Sequence, residues 1–273
     1  MKKRIGFASK PDENSIQIAC ETAKYVSGKY GQGVQISAEG KIAKTLGIRP
    51  KKLQDMEVDL IVCVGGDGTT MRCLRSNKAP VFGINTSIVG FLTSVDPKDA
   101  KTAIEQIIDG KFHVEERMKI STSFGKKKLP DAVNDVVVKS SMDCNVIGMR
   151  VFLDGKLVED VRGDGIIIAT PSGSTAYAMS AGGPIVDPRI DALLIVPIAP
   201  FRFGSRPLIV PASSKIEIEV ASRSGHLVID GQFACDLPEG SKISCKRSDE
   251  KARFARVKDD VHEFYRKISE KLR

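Results

Sequence analysis

Histidine is scarce in this chain, its cysteines never fall close together, and no apolar run approaches the length of a membrane span. Each absence removes a class of function. His113, His226 and His262 have no spacing that makes a metal site or a catalytic triad, so each is expected at the surface or in packing. The six cysteines (Cys20, Cys63, Cys73, Cys144, Cys235, Cys245) are scattered, which points to neither a zinc site nor a disulfide framework. Cys63 falls inside an apolar run and is expected to be a buried thiol. Met1-Lys2-Lys3-Arg4-Ile5-Gly6 leads straight into a strand pattern. No signal peptide and no membrane partner are therefore expected, and the protein is expected to be cytoplasmic.

What is present suits a folded enzyme. A chain of 273 residues, 41% of them hydrophobic, can build one large domain or two modest ones around a real core. Its net charge of +8 is spread along the chain rather than gathered on one segment. That distribution argues for attraction of small polyanions and against a nucleic-acid partner. The one dense basic run, Lys126-Lys127-Lys128 after Gly125, reads as a solvated hairpin tip.

The expected fold class is α/β followed by β. Arg4 to Ala8, Val34 to Ser37, Leu60 to Val64 and Pro80 to Asn85 read as strands, the third a continuous apolar run of the kind a doubly covered parallel sheet contains. Helical spacing covers Ser15 to Val26 and Pro97 to Gly110. Together these predict a Rossmann-like, doubly wound domain over residues 1–111, with ligands at the carboxyl ends of its strands. Residues 112–252 carry short β-rich runs separated by turns such as Asp154-Gly155 and Ser224-Gly225, predicting a mostly antiparallel second domain. Residues 253–273 return to helix, with Val257, Val261, Phe264, Tyr265, Ile268 and Leu272 on one face expected to pack on the first domain.

Two glycine-flanked aspartates carry the chemistry. Gly65-Gly66-Asp67-Gly68-Thr69 follows an apolar strand and lacks the lysine of a P-loop. Backbone N–H groups there can converge on an anion, with a helix expected to begin near Thr69. Asp67 can take a proton from an attacking hydroxyl or help to hold magnesium; alternatively it only caps the helix. The second aspartate, in Gly163-Asp164-Gly165, leads through a strand into Thr170-Pro171-Ser172-Gly173-Ser174-Thr175-Ala176-Tyr177. Ser174 or Thr175 is expected to cap a short helix carrying Tyr177 and Ser180, whose start suits a phosphate while Tyr177 offers a ring face to a base.

The first loop is similar to that of diacylglycerol, sphingosine and phosphofructokinase-type kinases. The segment from Gly163 to Tyr177, followed by Ser180-Ala181-Gly182-Gly183-Pro184, resembles the signature of the NAD kinases. Asn134-Asp135, Gly90-Phe91-Leu92 and Asp230-Gly231-Gln232 resemble further elements of that family, in its order. Ser87 and Val89 stand where the family commonly has glycine and leucine. The resemblance implies transfer of a phosphoryl group to the 2′-hydroxyl of the adenosine ribose of NAD, giving NADP. It implies Asp67 as catalytic base, Asp67, Gly68 and Arg72 as part of the NAD-binding set, and Gly65, Gly66, Gly68 and Thr69 as the phosphate loop. It further implies that Asn134, Asp135, Asp164, Thr175, Ala176, Tyr177 and Ser180 hold the dinucleotide, with Arg162 adding charge. Ser172 and Phe91 would line the adenosine pocket, and Ala199 and Gln232 would join the NAD-binding set. ATP or polyphosphate is the expected donor, a divalent cation such as Mg2+ the expected cofactor with no ligands assigned, and a homodimer or homotetramer the expected assembly. Two rivals remain: a lipid or sugar kinase sharing only the first loop, and a non-catalytic dinucleotide sensor.

Overall fold

The computed structural model describes residues 2–87, 90–142, 145–202, 204–257 and 262–271. The chain begins with β1 (Lys3–Ser9), α1 (Glu13–Tyr30), β2 (Val34–Ala38), α2 (Gly40–Thr45), β3 (Leu60–Gly65), α3 (Asp67–Ser76), β4 (Val81–Asn85) and α4 (Ala100–Ile108). It continues with β5 (His113–Phe124), β6 (Lys127–Lys128), β7 (Asp135–Ser140), β8 (Ile147–Leu153), β9 (Lys156–Gly163), β10 (Gly165–Ala169) and the four-residue α5 (Tyr177–Ser180). It closes with β11 (Ala192–Ile198), β12 (Leu208–Pro211), β13 (Ile216–Ser222), β14 (Gly225–Ile229), β15 (Phe233–Leu237), β16 (Lys242–Arg256) and α6 (Glu263–Lys271). Two compact units result: unit 1 holds residues 1–116 and 252–273, unit 2 residues 117–251.

Unit 1 is a parallel sheet in the order β2-β1-β3-β4, and Phe254 near the end of β16 pairs in parallel with Val81. Every residue of β3 is buried, because the strand is flanked by β1 and β4 and covered on its faces by helices. That is why its sequence is an unbroken apolar run. Phe7, Val62, Val64, Phe82 and Ile84 pack with Ala19, Ala23 and Val26 of α1 and with Ile104 and Ile107 of α4. Helix α1 starts where Asp12 accepts from Ser15 N at 2.9 Å and ends at Gly31, whose φ of 49° suits glycine. Cys63 is fully buried, as its place in β3 requires. In α6, Lys267 Nζ donates to Thr93 O at 2.8 Å. The helix is shorter than the expected one: Val257 precedes it, Tyr265 is exposed, and Val261 and Leu272 lie outside the described residues.

Unit 2 is antiparallel throughout its registered pairs. One sheet runs β12-β11-β10-β7-β14-β15, and a second is formed by β16, β13, β8 and β9. Alternate residues of the first sheet (Val136, Val138, Ile166, Ile168, Leu193, Ile195) join Met149, Val151, Ile216, Ile218 and Ile243 in the main core. The other alternates (Val137, Ile167, Leu194, Val196) pack against Ala178 and Val186. The segment after β10 thus folds back over its own sheet, which fixes the position of residues 170–186. No helix among the described residues is long and apolar enough to cross a membrane.

Candidate functional site

In unit 1 the loop after β3 is organised around Asp67. Gly66 occupies the N-cap position, so α3 begins at Asp67 rather than near Thr69 as the sequence suggested. Thr69 N and Thr70 N both donate to Gly66 O at 3.1 Å, which closes the first turn two residues early. The Asp67 carboxylate caps no helix N–H of its own; it reaches across to the Gly90-Phe91-Leu92 turn. Phe91 N donates to Oδ2 and Leu92 N to Oδ1, each at 2.9 Å. Gly90 is required beside them, because a Cβ there would lie 2.3 Å from Thr93 Oγ1 and 3.1 Å from Asp67 Oδ1. Phe91 itself is buried. Thr86 N donates to Gly65 O at 3.2 Å, tying the end of β4 to the loop, and Ser87 bonds back to Asn85. Ile88 and Val89 lie outside the described residues.

Arg72, one turn along α3, faces Glu39. Its guanidinium grips both carboxylate oxygens, at 2.7 and 2.8 Å, and also donates to Ser9 O at 3.2 Å. The Glu39 carboxylate holds the Arg72 charge more firmly than usual, raising its pKa through hydrogen bonding. Arg72 therefore links the ends of β1, β2 and β3.

Unit 2 brings a second group together where β7 begins. Thr170, at the end of β10, donates its N–H to Asn134 O at 2.9 Å and its hydroxyl to Val133 O at 2.7 Å. Gly173 then lies directly on Asn134: a Cβ at 173 would sit 2.1 Å from Asn134 O, so no other residue fits without moving backbone. Ser172 and Thr175 are buried in this turn.

The pivot of the group is Asp230, in the turn between β14 and β15. Its carboxylate accepts three consecutive backbone N–H groups, from Val133 (2.8 Å), Asn134 (2.8 Å) and Asp135 (3.1 Å). Its own N–H donates to Asp135 O at 3.0 Å. The sequence marked Asp230-Gly231-Gln232 as an element but took only Gln232 as a site residue. The available signal was the Asp-Gly pair, both members at positive φ (49° and 63°), the geometry of a tight hairpin turn. Burial, reinforced by the charge of Asp230, pushes the Asp135 carboxyl up to about 7.

The remaining expected residues fall elsewhere in unit 2. Arg162 and Asp164 are exposed on either side of Gly163, near Ala199: Asp164 N donates to Ile198 O at 3.0 Å and Phe201 N to Arg162 O at 2.8 Å. Tyr177, Ser180 and Gln232 are exposed, and Ala176 is half-buried. One expectation fails. Neither Ser174 nor Thr175 caps α5, which spans four residues and starts after Ala176 without a side-chain cap. Ser174 Oγ instead donates to Pro171 O at 2.6 Å and accepts from Val186 N at 3.0 Å, and Thr175 Oγ1 donates to Ser172 O at 3.3 Å. So short a helix offers no phosphate-binding terminus. Of the histidines, His226 pairs with Asp236 at 2.8 Å and His113 and His262 are exposed. Among the described residues, no group of three or more His, Cys, Asp or Glu can hold a metal.

Both units match known families. Residues 5–112 match the ATP-NAD kinase N-terminal domain and residues 133–257 the ATP-NAD kinase C-terminal domain. The NAD kinase of Methanothermobacter thermautotrophicus is 39% identical, with 98% of this chain and 96% of that relative covered. The NAD kinase of Thermococcus sibiricus is 44% identical over 78% of each chain. Among solved structures, yeast NADH kinase complexed with NADH has a TM-score of 0.92 at 26% identity, covering 99% of this chain and 87% of that one. An NAD kinase from Archaeoglobus fulgidus in complex with ATP has a TM-score of 0.79 at 30% identity, covering 97% and 98%. With both domain models matched in order and near-complete relatives at this identity, the chain belongs to the NAD kinase family and is a phosphotransferase.

Proposed function

We propose that this protein phosphorylates the 2′-hydroxyl of the adenosine ribose of NAD, giving NADP, with ATP as donor and Asp67 as general base. The observation that carries the reading is the fixed Asp67 carboxylate at the carboxyl end of a buried parallel strand. Each oxygen takes one backbone N–H and keeps acceptor capacity for a substrate hydroxyl. The base is therefore positioned before substrate arrives, and phosphoryl transfer depends mainly on positioning and charge. As the 2′-oxygen bonds to the terminal phosphorus and the bond to the leaving ADP breaks, the hydroxyl proton passes to Asp67.

In this reading the α/β domain (residues 1–111) supplies the donor side. Gly65, Gly66, Gly68 and Thr69 form the phosphate loop, and Arg72 secures it through Glu39 and Ser9. Magnesium is the proposed cation, with no protein ligands assigned to it. When bound, it neutralises developing charge on the transferred group. The β-rich domain (112–252) supplies the dinucleotide side through Asn134, Asp135, Asp164, Ser172, Thr175, Ala176, Tyr177 and Ser180. Arg162 adds charge there, and Ala199 and Gln232 belong to the same dinucleotide-binding set. Segment 253–273 returns to the first domain. The NADH and ATP complexes of the two structural neighbours support the two substrates. The edge strand β12, with Leu208 and Ile209 exposed, supports assembly as a homodimer or homotetramer.

The test is NADP formation from NAD and Mg2+ with ATP and polyphosphate offered separately. NADP with ATP, lost on chelation of the cation, is expected. NAD binding without NADP from either donor would sink the reading and favour a sensor.

A further inference from the structure

Among the described polar groups of unit 2, Asn134 and Asp135 are adjacent acceptors without a donor; Thr122 Oγ1 and Asp131 Oδ1 are buried without a partner as well. Asn134 Oδ1 is buried without a hydrogen-bond partner among the described residues. Asp135 is buried, with 6% of the residue exposed, and its carboxylate accepts no hydrogen bond from the described residues, though its oxygens are less completely enclosed than Asn134 Oδ1. Buried acceptors left unpaired are destabilising and are seldom kept without a ligand to satisfy them. Meanwhile the three backbone N–H groups of residues 133–135 all point to Asp230.

We infer that Asp230 is a positioning residue: by filling the N–H cradle at 133–135 it holds Asn134 Oδ1 and the Asp135 carboxylate for the hydroxyl groups of the bound dinucleotide, and its charge adds to burial in making that binding depend on pH. The inference rests on the NAD reading above and deepens it. A bound ribose carries vicinal hydroxyls, which are donors of the kind these oxygens lack. An ionised Asp135 accepts such donors at both oxygens, whereas the protonated acid has given up part of that capacity.

In the surroundings of Asp135, Asp230 is the charge that adds to the effect of burial. The adjacent strand β10 (Gly165–Ala169) is apolar, and the neighbouring end of β14 presents Ile229 opposite Val136. His226 and Lys139 pair near the other end of β7. The 170–175 turn contributes hydroxyls and no charge, and Arg117 donates to Ser172 Oγ at 3.5 Å. Asp131 is bound to Ser248. Burial first and Asp230 second raise the Asp135 carboxyl to about 7. Deprotonation of Asp135, and with it tight binding, therefore develops as pH rises through neutrality.

The experiment is calorimetric titration of the full chain with NAD between pH 6 and pH 8, paired with carboxyl NMR of ligand-free protein labelled at aspartate. For wild type, the dissociation constant is expected to fall about tenfold across this range, as for a site that binds only the ionised form. Asp135→Asn should bind weakly and without pH dependence. Asp230→Asn removes the charge and should move the Asp135 midpoint to lower pH in both readouts, a shift that loss of shape alone does not produce. An unchanged midpoint in Asp230→Asn, or a surviving tenfold pH effect in Asp135→Asn, overturns the inference. So does pH-independent affinity in a wild type that binds NAD, which leaves the NAD reading standing. Absence of NAD binding at every pH overturns the ligand assignment together with that reading.

Discussion

Asp67 in unit 1 and Asp135 in unit 2 both sit beside the end of a buried strand, but the backbone treats them in opposite ways. Asp67 takes a backbone N–H on each oxygen. Asp135 is buried with none, because the N–H groups around it are directed to Asp230. Compensation on site fixes where a carboxylate stands, which is what a proton acceptor in a group transfer needs. An uncompensated carboxylate instead waits for its donors from a ligand and carries an electrostatic strain until they come. In the proposed reading the same side chain serves chemistry in one unit and recognition in the other.

The sharpest way to break the contrast is to remove the charge of Asp67. Asp67→Asn is expected to lower kcat by about 10²- to 10⁴-fold, the usual worth of a general base, read from initial rates of NADP formation. Near wild-type turnover would mean that Asp67 is not the base.

Crowding the other site tests whether its shape matters equally. Gly173→Ala drives a methyl group against Asn134 O. It is expected to destabilise the fold by about 3 kcal/mol, the upper end for overpacking, measured by urea unfolding. A neutral result would mean that the turn and the start of β7 are not rigidly joined.

A smaller effect sharpens the difference in compensation. Asp135 ionises near 7 when folded and near 3.9 when unfolded. Between these values the folded chain holds the extra proton, so the Asp135 contribution to stability falls as pH rises through that window and stays low above it. Asp135→Asn escapes this loss. The stability of the ligand-free variant relative to wild type should improve by about 2–3 kcal/mol from pH 5 to pH 8, with Tm tracking the change. An equal difference at both pH values would show that Asp135 does not titrate there.

The smallest effect belongs to the half-exposed clamp behind Asp67. Glu39→Gln leaves Arg72 with neutral partners only and should cost about 1 kcal/mol or less, with a modest loss of turnover. A loss as large as that of Asp67→Asn would make Arg72 a direct participant.

Much of this was legible in the sequence where burial is two-sided. Leu60 to Val64 and Gly165 to Ala169 are unbroken apolar runs because both faces of each strand are covered. The charged edge strand β9 and the long β16 have no such run: Lys156-Leu157-Val158-Glu159-Asp160 exposes most of its residues. The short α5 was overread because its hydroxyl-rich approach resembles a capped helix, while Ser174 bonds outside it, to Pro171 and Val186. At the site, Asp67 and Asn134-Asp135 announce themselves through their neighbours in sequence. The bonds from Asp230 to residues 133–135 do not. They join a side chain to backbone N–H groups 95 to 97 positions away, and backbone donors leave no mark in the choice of residue.

The contrast between the two aspartates is tested most directly by measuring NAD affinity calorimetrically for Asp67→Asn and Asp135→Asn side by side at pH 8. Chemistry at one and recognition at the other predict that Asp67→Asn binds NAD within about threefold of wild type, while Asp135→Asn loses at least about tenfold, the worth of one charge-assisted hydrogen bond. Wild-type affinity in Asp135→Asn, or its loss in Asp67→Asn alone, would contradict the assignment.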